Sequence, residues 1–318
     1  MNIGFVTCQE TILKQYFPTI TEPDFTSPEP LFTPDDYIAV TELRAHGHDT
    51  SAIIWGTPPD KLRKMDLIIV RSPWDYIQNE TNKIQFFAWL DAIEHAGLPV
   101  ANPPSLMRWL LDKHYLQDLA SLGVRIIPTQ YIEKNGRLDL STVYAERGPV
   151  VLKQCISAGG TGLFFIDSKQ AAKDHQTEFN SLLSSTAYML QPFIPEITTH
   201  GEWSLTFFGG HYSHSILKKT GESSIMIHAE RGGSLHFPVT PSTEVIDFSH
   251  HAYQQIVPAF NHATSYSCPD SHLLYMRIDV IETKNGPVLI ECEGVEPELF
   301  FRARPGSEVD FRLAIEKL

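Results

Sequence analysis

Short apolar runs separated by helix-period stretches open the chain. NIGFVTC (2–8), SAIIW (51–55) and DLIIVRS (66–72) have the length and apolar content of buried strands. PDDYIAVTELRAHG (34–47) and KIQFFAWLDAIEHAG (83–97) repeat their apolar residues at helical spacing. Asp35 and Asp36 occupy a first turn, where the helix dipole favours acids, and Gly47 and Gly97 stand where helices stop. This β-α-β alternation predicts an α/β unit with an open, mostly parallel sheet. Residues 10–34 depart from it: five prolines and little periodicity predict a loop insertion near the surface.

The two prolines of ANPPS (101–105) deny helical continuation and mark a boundary. SLMRWLLDKHYLQDLASLG then reads as one helix, with Leu106, Trp109, Leu110, Leu116 and Leu119 on its apolar face and Gly123 at its close. From residue 126 the pattern turns to strands: IIPTQYI, PVVLKQC, TGLFFI, a helix opened by Ser168, then AYMLQPFI. WSLTFF, HYSHSILKK and SIMIHAE follow, then an R-G-G turn and a helix near 244–260. No repeat or low-complexity tract interrupts this order.

RIDVIETKNGPVLIECEGVEP (277–297) reads as a hairpin whose polar face is unusual. Strand side chains alternate, so Arg277 and Asp279 share one face of the first strand, and Glu291 and Glu293 one face of the second. A two-residue Asn285-Gly286 loop would set Asp279 across from Cys292. A three-residue loop, Lys284 to Gly286 with a left-handed glycine, sets it across from Glu291, and this is the expected register. Carboxylates clustered beside Ile278, Val280, Ile290 and Cys292 call for a positive partner, and magnesium, which takes oxygen ligands, suits them. A solvated polar sheet face is the alternative. VVLKQCISAGGTGLFFI places Lys153 at a strand end and glycines just after it, so that backbone N–H groups can converge on a phosphate. A flexible hairpin turn is the competing reading of SAGGTG, since the loop is neither a Walker loop nor a dinucleotide fingerprint.

Composition narrows the classes. A formal net charge of -13 and the absence of a basic run argue against nucleic acid and anionic membrane as partners. Four scattered cysteines form no C-x-x-C pair and fit a reducing compartment. NIGFVT lacks the features of a signal peptide and no apolar run is long enough to span a bilayer, so a cytoplasmic protein is expected. The histidines lack ligand spacing: His46 and His48 flank a turn glycine, His250 and His251 are adjacent, and His211 and His214 point apart on a strand.

Lys113 in LLDKHYLQDLASLGVRIIPT, Lys153 with its glycine loop, LQPFIPEI with Glu202 downstream, RID and ECE occur in that order over about two thirds of the chain. In this order the sequence resembles the ATP-grasp superfamily of carboxylate-amine ligases. The resemblance implies an N-terminal α/β domain (1–104) and two α+β subdomains that clasp ATP, one with the glycine loop (105–194) and one with the metal site (195–318). It implies Lys113 and Lys153 as phosphate ligands, covered by the loop carrying Ser157, Gly159, Gly160 and Gly162. Gln191, Pro192, Phe193 and Ile194 correspond to the adenine hinge, and Glu202, preferred over Glu196, to the ribose ligand. Asp279, Glu291 and Glu293 correspond to ligands of Mg2+, with Mn2+ as the alternative ion, and Arg277 to the arginine beside the reacting acyl group. The last metal position is most often asparagine in the superfamily and is Glu293 here; Gln191 replaces a common glutamate. RSPWDY (71–76), DKHYLQDLASLG, GEWSLTFFGGHYSHSILKK and VEPELFF look like the prokaryotic glutathione-synthetase-type branch, which includes O-ureido-serine cyclo-ligase.

The resemblance implies a ligase that activates a small, amino-acid-like carboxylate as an acyl phosphate and passes it to an amine, with Arg277 and Lys153 in catalytic roles. A kinase acting on a hydroxyl and a non-catalytic nucleotide-binding subunit are the alternatives. Arg71, Trp74 and Asp75, after the strand DLIIV, are candidates for substrate contact, as are Lys218, Arg231, Arg302 and Arg304. Cys155 is expected to be a packed side chain. Members of the superfamily are frequently dimers, which makes a homodimer the assembly the resemblance raises.

Overall fold

The computed structural model describes residues 1–16, 29–157, 159–221, 232–268 and 273–318. The expected strand SIMIHAE, Arg231 and part of the proline-rich stretch lie outside these residues. Among the described residues, the strands form three sheets.

The first sheet is parallel and has the order β2-β1-β3-β4, with β1 Asn2–Thr7, β2 Asp49–Ile54, β3 Leu67–Ser72 and β4 Val100–Ala101. α1 (Glu10–Tyr16), α2 (Pro34–Ala45), α3 (Pro59–Leu62) and α4 (Glu80–His95) accompany it. The stretch expected to be all loop therefore begins with a helix, α1. Every residue of β3 is buried, which explains the unbroken apolar run of Leu67 to Val70 and leaves Arg71 and Ser72 as buried polar groups at its end. The Thr33 hydroxyl caps α2 by accepting from the Asp36 N–H.

The second unit has α5 (Pro104–Leu111), α6 (Tyr115–Ser121), β5 (Gln130–Ile132), α7 (Leu140–Arg147), β6 (Val150–Gln154), β7 (Phe164–Ile166), α8 (Lys169–Leu183) and β8 (Tyr188–Pro192). Its sheet is antiparallel in the order β5-β8-β6-β7. The single helix expected over 105–123 is two. Asp112 is extended (φ -101, ψ 108), and its carboxylate accepts from the backbone N–H of His114, a local turn bond that competes with the helix. Lys113 lies in this break, and its N–H donates to Cys155 O at 2.9 Å.

The third unit comprises α9 (Glu196–Thr199), β9 (Glu202–Phe208), β10 (His211–Lys219), β11 (Ser234–His236), α10 (Thr243–Ala263), β12 (Tyr275–Thr283), β13 (Gly286–Glu293) and α11 (Ser307–Ile315). Its antiparallel sheet runs β11-β10-β9-β12-β13. One apolar cluster joins Val6, Ile68 and Val70 of the first sheet, the α4–α6 face, and Leu205, Ile278 and Cys292 of the third. First and third units thus share a core.

Polar staples fix that seam. Asn102 is fully buried; its amide donates to Tyr275 O (2.9 Å) and Gly294 O (2.8 Å), and its carbonyl accepts from Leu274 N–H (2.8 Å). The boundary expected at ANPPS is therefore pinned to the ends of β12 and β13. Asp35 and Asp36 do more than complement a helix dipole. Asp35 is buried and accepts the N–H groups of Leu299, Phe300 and Phe301 at 2.7 to 3.0 Å, and Asp36 holds Arg71 at 2.8 Å.

Candidate active site

Two irregularities in the third sheet decide which side chains share a face. β9 and β10 turn through Gly209 and Gly210, so that Phe208 pairs with His211 and Phe207 with Tyr212. An uninterrupted ladder would set Glu202 opposite Leu217. Ser213 is instead an extra residue, and beyond it Thr206 pairs with His214 and Glu202 with Lys218. The β12–β13 hairpin repeats the device. Thr283 pairs with Gly286 (φ +94), which leaves Lys284 and Asn285 in the turn rather than the three residues expected. That register alone would set Asp279 opposite Ile290. Ile290 is the extra residue, so Asp279 faces Glu291 and Arg277 faces Glu293. The acids pair as the hairpin's polar pattern predicts, but a bulge produces the pairing and not the turn length. A one-residue slip in either hairpin would carry these side chains to the opposite face.

β12 also pairs with β9, where Asp279 faces Ser204 and Arg277 faces Thr206. Lys218, Glu202, Asp279, Arg277, Glu291 and Glu293 therefore occupy one face of four adjacent strands. A Cβ at Gly201 (φ +86) would fall 2.4 Å from Lys218 O, so the residue before Glu202 must be glycine for β10 to approach.

The charges on this face are paired closely. Arg277 donates through Nε to Asp279 Oδ1 at 2.9 Å and through Nη2 to Asp279 Oδ2 at 2.9 Å, and it also contacts Glu293. Lys218 Nζ bridges Glu202 at 3.0 Å and Asp279 at 3.3 Å. Lys113 Nζ lies 2.9 Å from Glu291 and donates to Ser157 O at 3.0 Å. Burial alone would raise Asp279, but Arg277 and Lys218 hold its carboxyl far below its ordinary range. Burial raises Glu293 against the pull of Arg277, and the Glu291 and Asp279 carboxylates add to the rise. Burial would lower Lys113, yet the Glu291 carboxylate outweighs it and the ammonium stays above its usual value.

Lys153 behaves differently. It is on β6, opposite Met189 of β8, and among the described residues its Nζ makes no hydrogen bond or ion pair. Burial lowers its pKa, Lys113 repels it, and the opposing pull of Glu291 and Glu202 does not compensate. An ammonium in that position gains from an incoming anion. Beyond it run Gly159, Gly160 and Gly162 at φ +59, +68 and +66, with Ser157 at the near end of the loop.

Asp279, Glu291 and Glu293 offer hard oxygen donors on rigid strands, two of them directly opposed, and a hard divalent cation would relieve the repulsion that raises Glu293. The donor types suit magnesium, but the three carboxylates are not gathered within 4.8 Å of one another as Asp112, His114 and Cys155 are, and Arg277 holds Asp279 and Glu293. Gln191 is buried on β8 and donates to Thr129 Oγ1 at 2.8 Å; Pro192, Phe193 and Ile194 continue from it, Phe193 N–H donating to Pro149 O.

The substrate candidates divide. Lys218 is in the charged face itself. Arg71 donates through Nε to Asp36 and through Nη2 to Pro297 O, both at 2.8 Å, while its Nη1 is buried without a hydrogen-bond partner among the described residues; Trp74 Nε1 donates to Glu296 O at 3.3 Å; Asp75 accepts from Trp55. Arg302 contacts Glu298, and Arg304 contacts Asp310 and Ser213. Arg71, Trp74 and Tyr76 of RSPWDY, at the end of β3, therefore contact the segment after β13, while Asp75 turns to Trp55. Sequence reasoning missed three members of this neighbourhood. The Tyr115 hydroxyl accepts from Cys292 N–H at 2.7 Å and so fixes β13 between Glu291 and Glu293. The Tyr76 hydroxyl donates to Glu296 Oε1 at 2.7 Å, and Glu296 Oε2 is buried. The available signals were the tyrosines of the quoted DKHYLQDLASLG and RSPWDY and the first glutamate of VEPELFF.

Comparison with known proteins covers the whole chain. The family model described as "D-cycloserine synthetase DcsG, N-terminal domain" matches residues 3–102. The cycloserine biosynthesis protein DcsG of Streptomyces lavendulae is 26% identical over 242 residues, 74% of this chain and 77% of that protein. The crystal structure of D-cycloserine synthetase DcsG matches with a TM-score of 0.78 at 21% identity, covering 100% of this chain and 99% of the other. The D-alanine-D-alanine ligase from Bacillus anthracis complexed with ATP matches with a TM-score of 0.63 at 14% identity, covering 100% of this chain and 96% of the other.

Proposed function

We propose, from the premise that this chain is an ATP-grasp enzyme, an ATP-dependent ligase of a carboxylate to an amine, that the charged face of β9, β10, β12 and β13 is its reaction centre and that its acid substrate is amino-acid-like. The observation that carries the reading is Asp279 standing opposite Glu291, with Lys113 on one carboxylate and Lys218 and Arg277 on the other. The likeness to a cycloserine biosynthesis protein supports the class of acid.

Lys113 and Lys153 would bind the phosphates of ATP, Lys153 being the ammonium that forms no ion pair among the described residues. Gln191 to Ile194 would line the adenine, and Glu202 would meet the ribose. Asp279, Glu291 and Glu293 would hold a magnesium ion, or manganese in its place, which when bound supplies counter-charge to phosphate oxygens. A substrate carboxylate oxygen attacks the terminal phosphorus, the bond to the bridging oxygen breaks, and ADP leaves. The amine nitrogen then attacks the acyl carbon and phosphate departs. Arg277, on the same face as Asp279, would stabilise the oxyanion between these events. The glycine loop beyond Ser157 would keep water from the acyl phosphate. Sending the phosphate to a hydroxyl is not favoured, since the similar proteins are synthetases and ligases. The burial of all four cysteines supports a reducing, cytoplasmic setting, and no helix among the described residues is long and apolar enough to cross a membrane.

Incubating the enzyme with Mg-ATP and pairs of amino acids, while following phosphate release and product mass, tests the reading. Phosphate together with a product lighter by one water than its precursors is expected; a stable phosphorylated product would refute it.

A further inference from the structure

Glu296 is held on every side except one. Its Oε1 accepts from Tyr76 O–H at 2.7 Å and its backbone carbonyl from Trp74 Nε1 at 3.3 Å. The neighbouring carbonyls are also tied, Val295 O to the Tyr275 hydroxyl at 2.8 Å and Pro297 O to Arg71 at 2.8 Å. Oε2 alone is buried without a hydrogen-bond partner among the described residues. A carboxylate oxygen removed from water and left unpaired costs about 1–3 kcal/mol or more, so a fold that fixes its backbone this firmly holds it for a ligand.

Its surroundings indicate which ligand. Glu296 feels the charges of Lys113, Glu291 and Arg277, and so borders the reaction centre. Lys113 is already committed to Glu291 and Ser157 O, and Arg277 to Asp279 and Glu293, so neither supplies the missing partner. Tyr76 and Trp74 follow directly on the carboxyl end of β3, the edge of an open parallel sheet where ligands bind. Burial holds the Glu296 carboxyl up at about 7 despite its bond from Tyr76, and a cation arriving at Oε2 would favour the charged form.

We propose that Glu296, oriented by Tyr76, receives the ammonium group of an amino-acid substrate at the seam between the first sheet and the end of β13. This inference rests on the ligase reading and names the group by which that site would select its acid. An ammonium is compact and offers several N–H donors, which suits a single fixed carboxylate oxygen; a 2-hydroxy acid of the same shape would bring no charge.

The probes are alanine and serine of both hands against lactate and glycerate, which carry a hydroxyl in place of the amine. Thermal unfolding of the full chain in Mg-ADP is followed as each is titrated. At least one amino acid should bind at least about tenfold more tightly than its hydroxy counterpart. Glu296→Gln should bring the two within about twofold, and Tyr76→Phe should narrow the gap. Equal binding of amino and hydroxy acids by the native enzyme, no response to any of the four amino acids, or a preference that survives Glu296→Gln would each overturn the inference. The comparison of ligands on the native enzyme needs no variant to fold. Phosphate release from Mg-ATP separates this failure from failure of the reading. Release that needs a carboxylate but no amino group leaves the ligase standing without this subsite. ADP binding with no carboxylate-dependent release under any pairing removes the ligase itself.

Discussion

Lys218 stands directly across from Glu202 because one residue, Ser213, bulges from the strand between the Gly209-Gly210 turn and the lysine. The same Nζ reaches Asp279 on the next strand, so a single ammonium joins a residue proposed to meet the ribose with one proposed to meet the metal. Replacing Lys218 by methionine keeps the stem and deletes the charge. Carboxylate-dependent phosphate release should fall by at least about 100-fold. Stability in urea should fall by about 3 kcal/mol, since Glu202 and Asp279 are then left partly uncompensated in a buried place. Full turnover by this variant would remove Lys218 from the site.

Glu291 faces Asp279 across the ladder and carries Lys113 at 2.9 Å. Glu291→Gln keeps the shape and removes one charge. The magnesium concentration for half-maximal rate should rise more than about tenfold, while the fold is retained by circular dichroism. An unchanged magnesium dependence would place the metal elsewhere.

Asp35 accepts three successive backbone N–H groups, those of Leu299, Phe300 and Phe301. In Asp35→Asn one oxygen becomes a donor facing donors, and the lost bonds should cost about 2–4 kcal/mol. Because the same turn holds Arg71 through Asp36, the segment carrying Glu296 should loosen as well. Hydrogen exchange at residues 295–301 should quicken in this variant more than at β1. Equal change at both would mean that Asp35 supports only global stability.

The charged face was partly legible in the sequence. RID and ECE announce acids on alternating positions, and period two alone puts Arg277 with Asp279 and Glu291 with Glu293. What brings the two pairs together is Ile290, and what brings Lys218 to Glu202 is Ser213; neither residue has a turn signature, because a bulge is set by packing on both sides of the sheet. The strands of the first unit and their parallel character follow from its apolar runs, whereas the break at Asp112 was hidden inside a good helical period. Apolar spacing continues through α5 and α6, and they are divided where the Asp112 carboxylate accepts from His114 N–H and Lys113 N–H turns to Cys155 O. Arg71 carried the signal of a ligand site and also holds the seam, a second use that depends on Pro297, more than two hundred residues away.

His214 provides a pH signature of the fold. It is buried, its Nε2 lies 2.8 Å from Leu299 O, and burial lowers its pKa from 6.5 to about 4. The unfolded chain therefore binds the extra proton between those values and the folded chain does not, so stability is lost as pH falls from about 6.5 toward 4, by up to about 3 kcal/mol. His214→Gln can still donate to Leu299 O and does not titrate. Its unfolding midpoint should fall less steeply than that of the native chain between pH 7 and pH 4, by the share that His214 contributes. Parallel curves would show that the imidazole is not the cause.

The central claim is that a substrate carboxylate takes the terminal phosphate of ATP at the face built by Asp279, Glu291, Lys113 and Lys153. Supplying an accepted acid with its carboxylate oxygens labelled by oxygen-18, together with Mg-ATP and the amine, and weighing the released phosphate tests it most directly. One labelled oxygen should appear in each phosphate as the carbon-nitrogen bond forms. Unlabelled phosphate accompanying the same product, or label retained in a phosphorylated acid, would contradict the account.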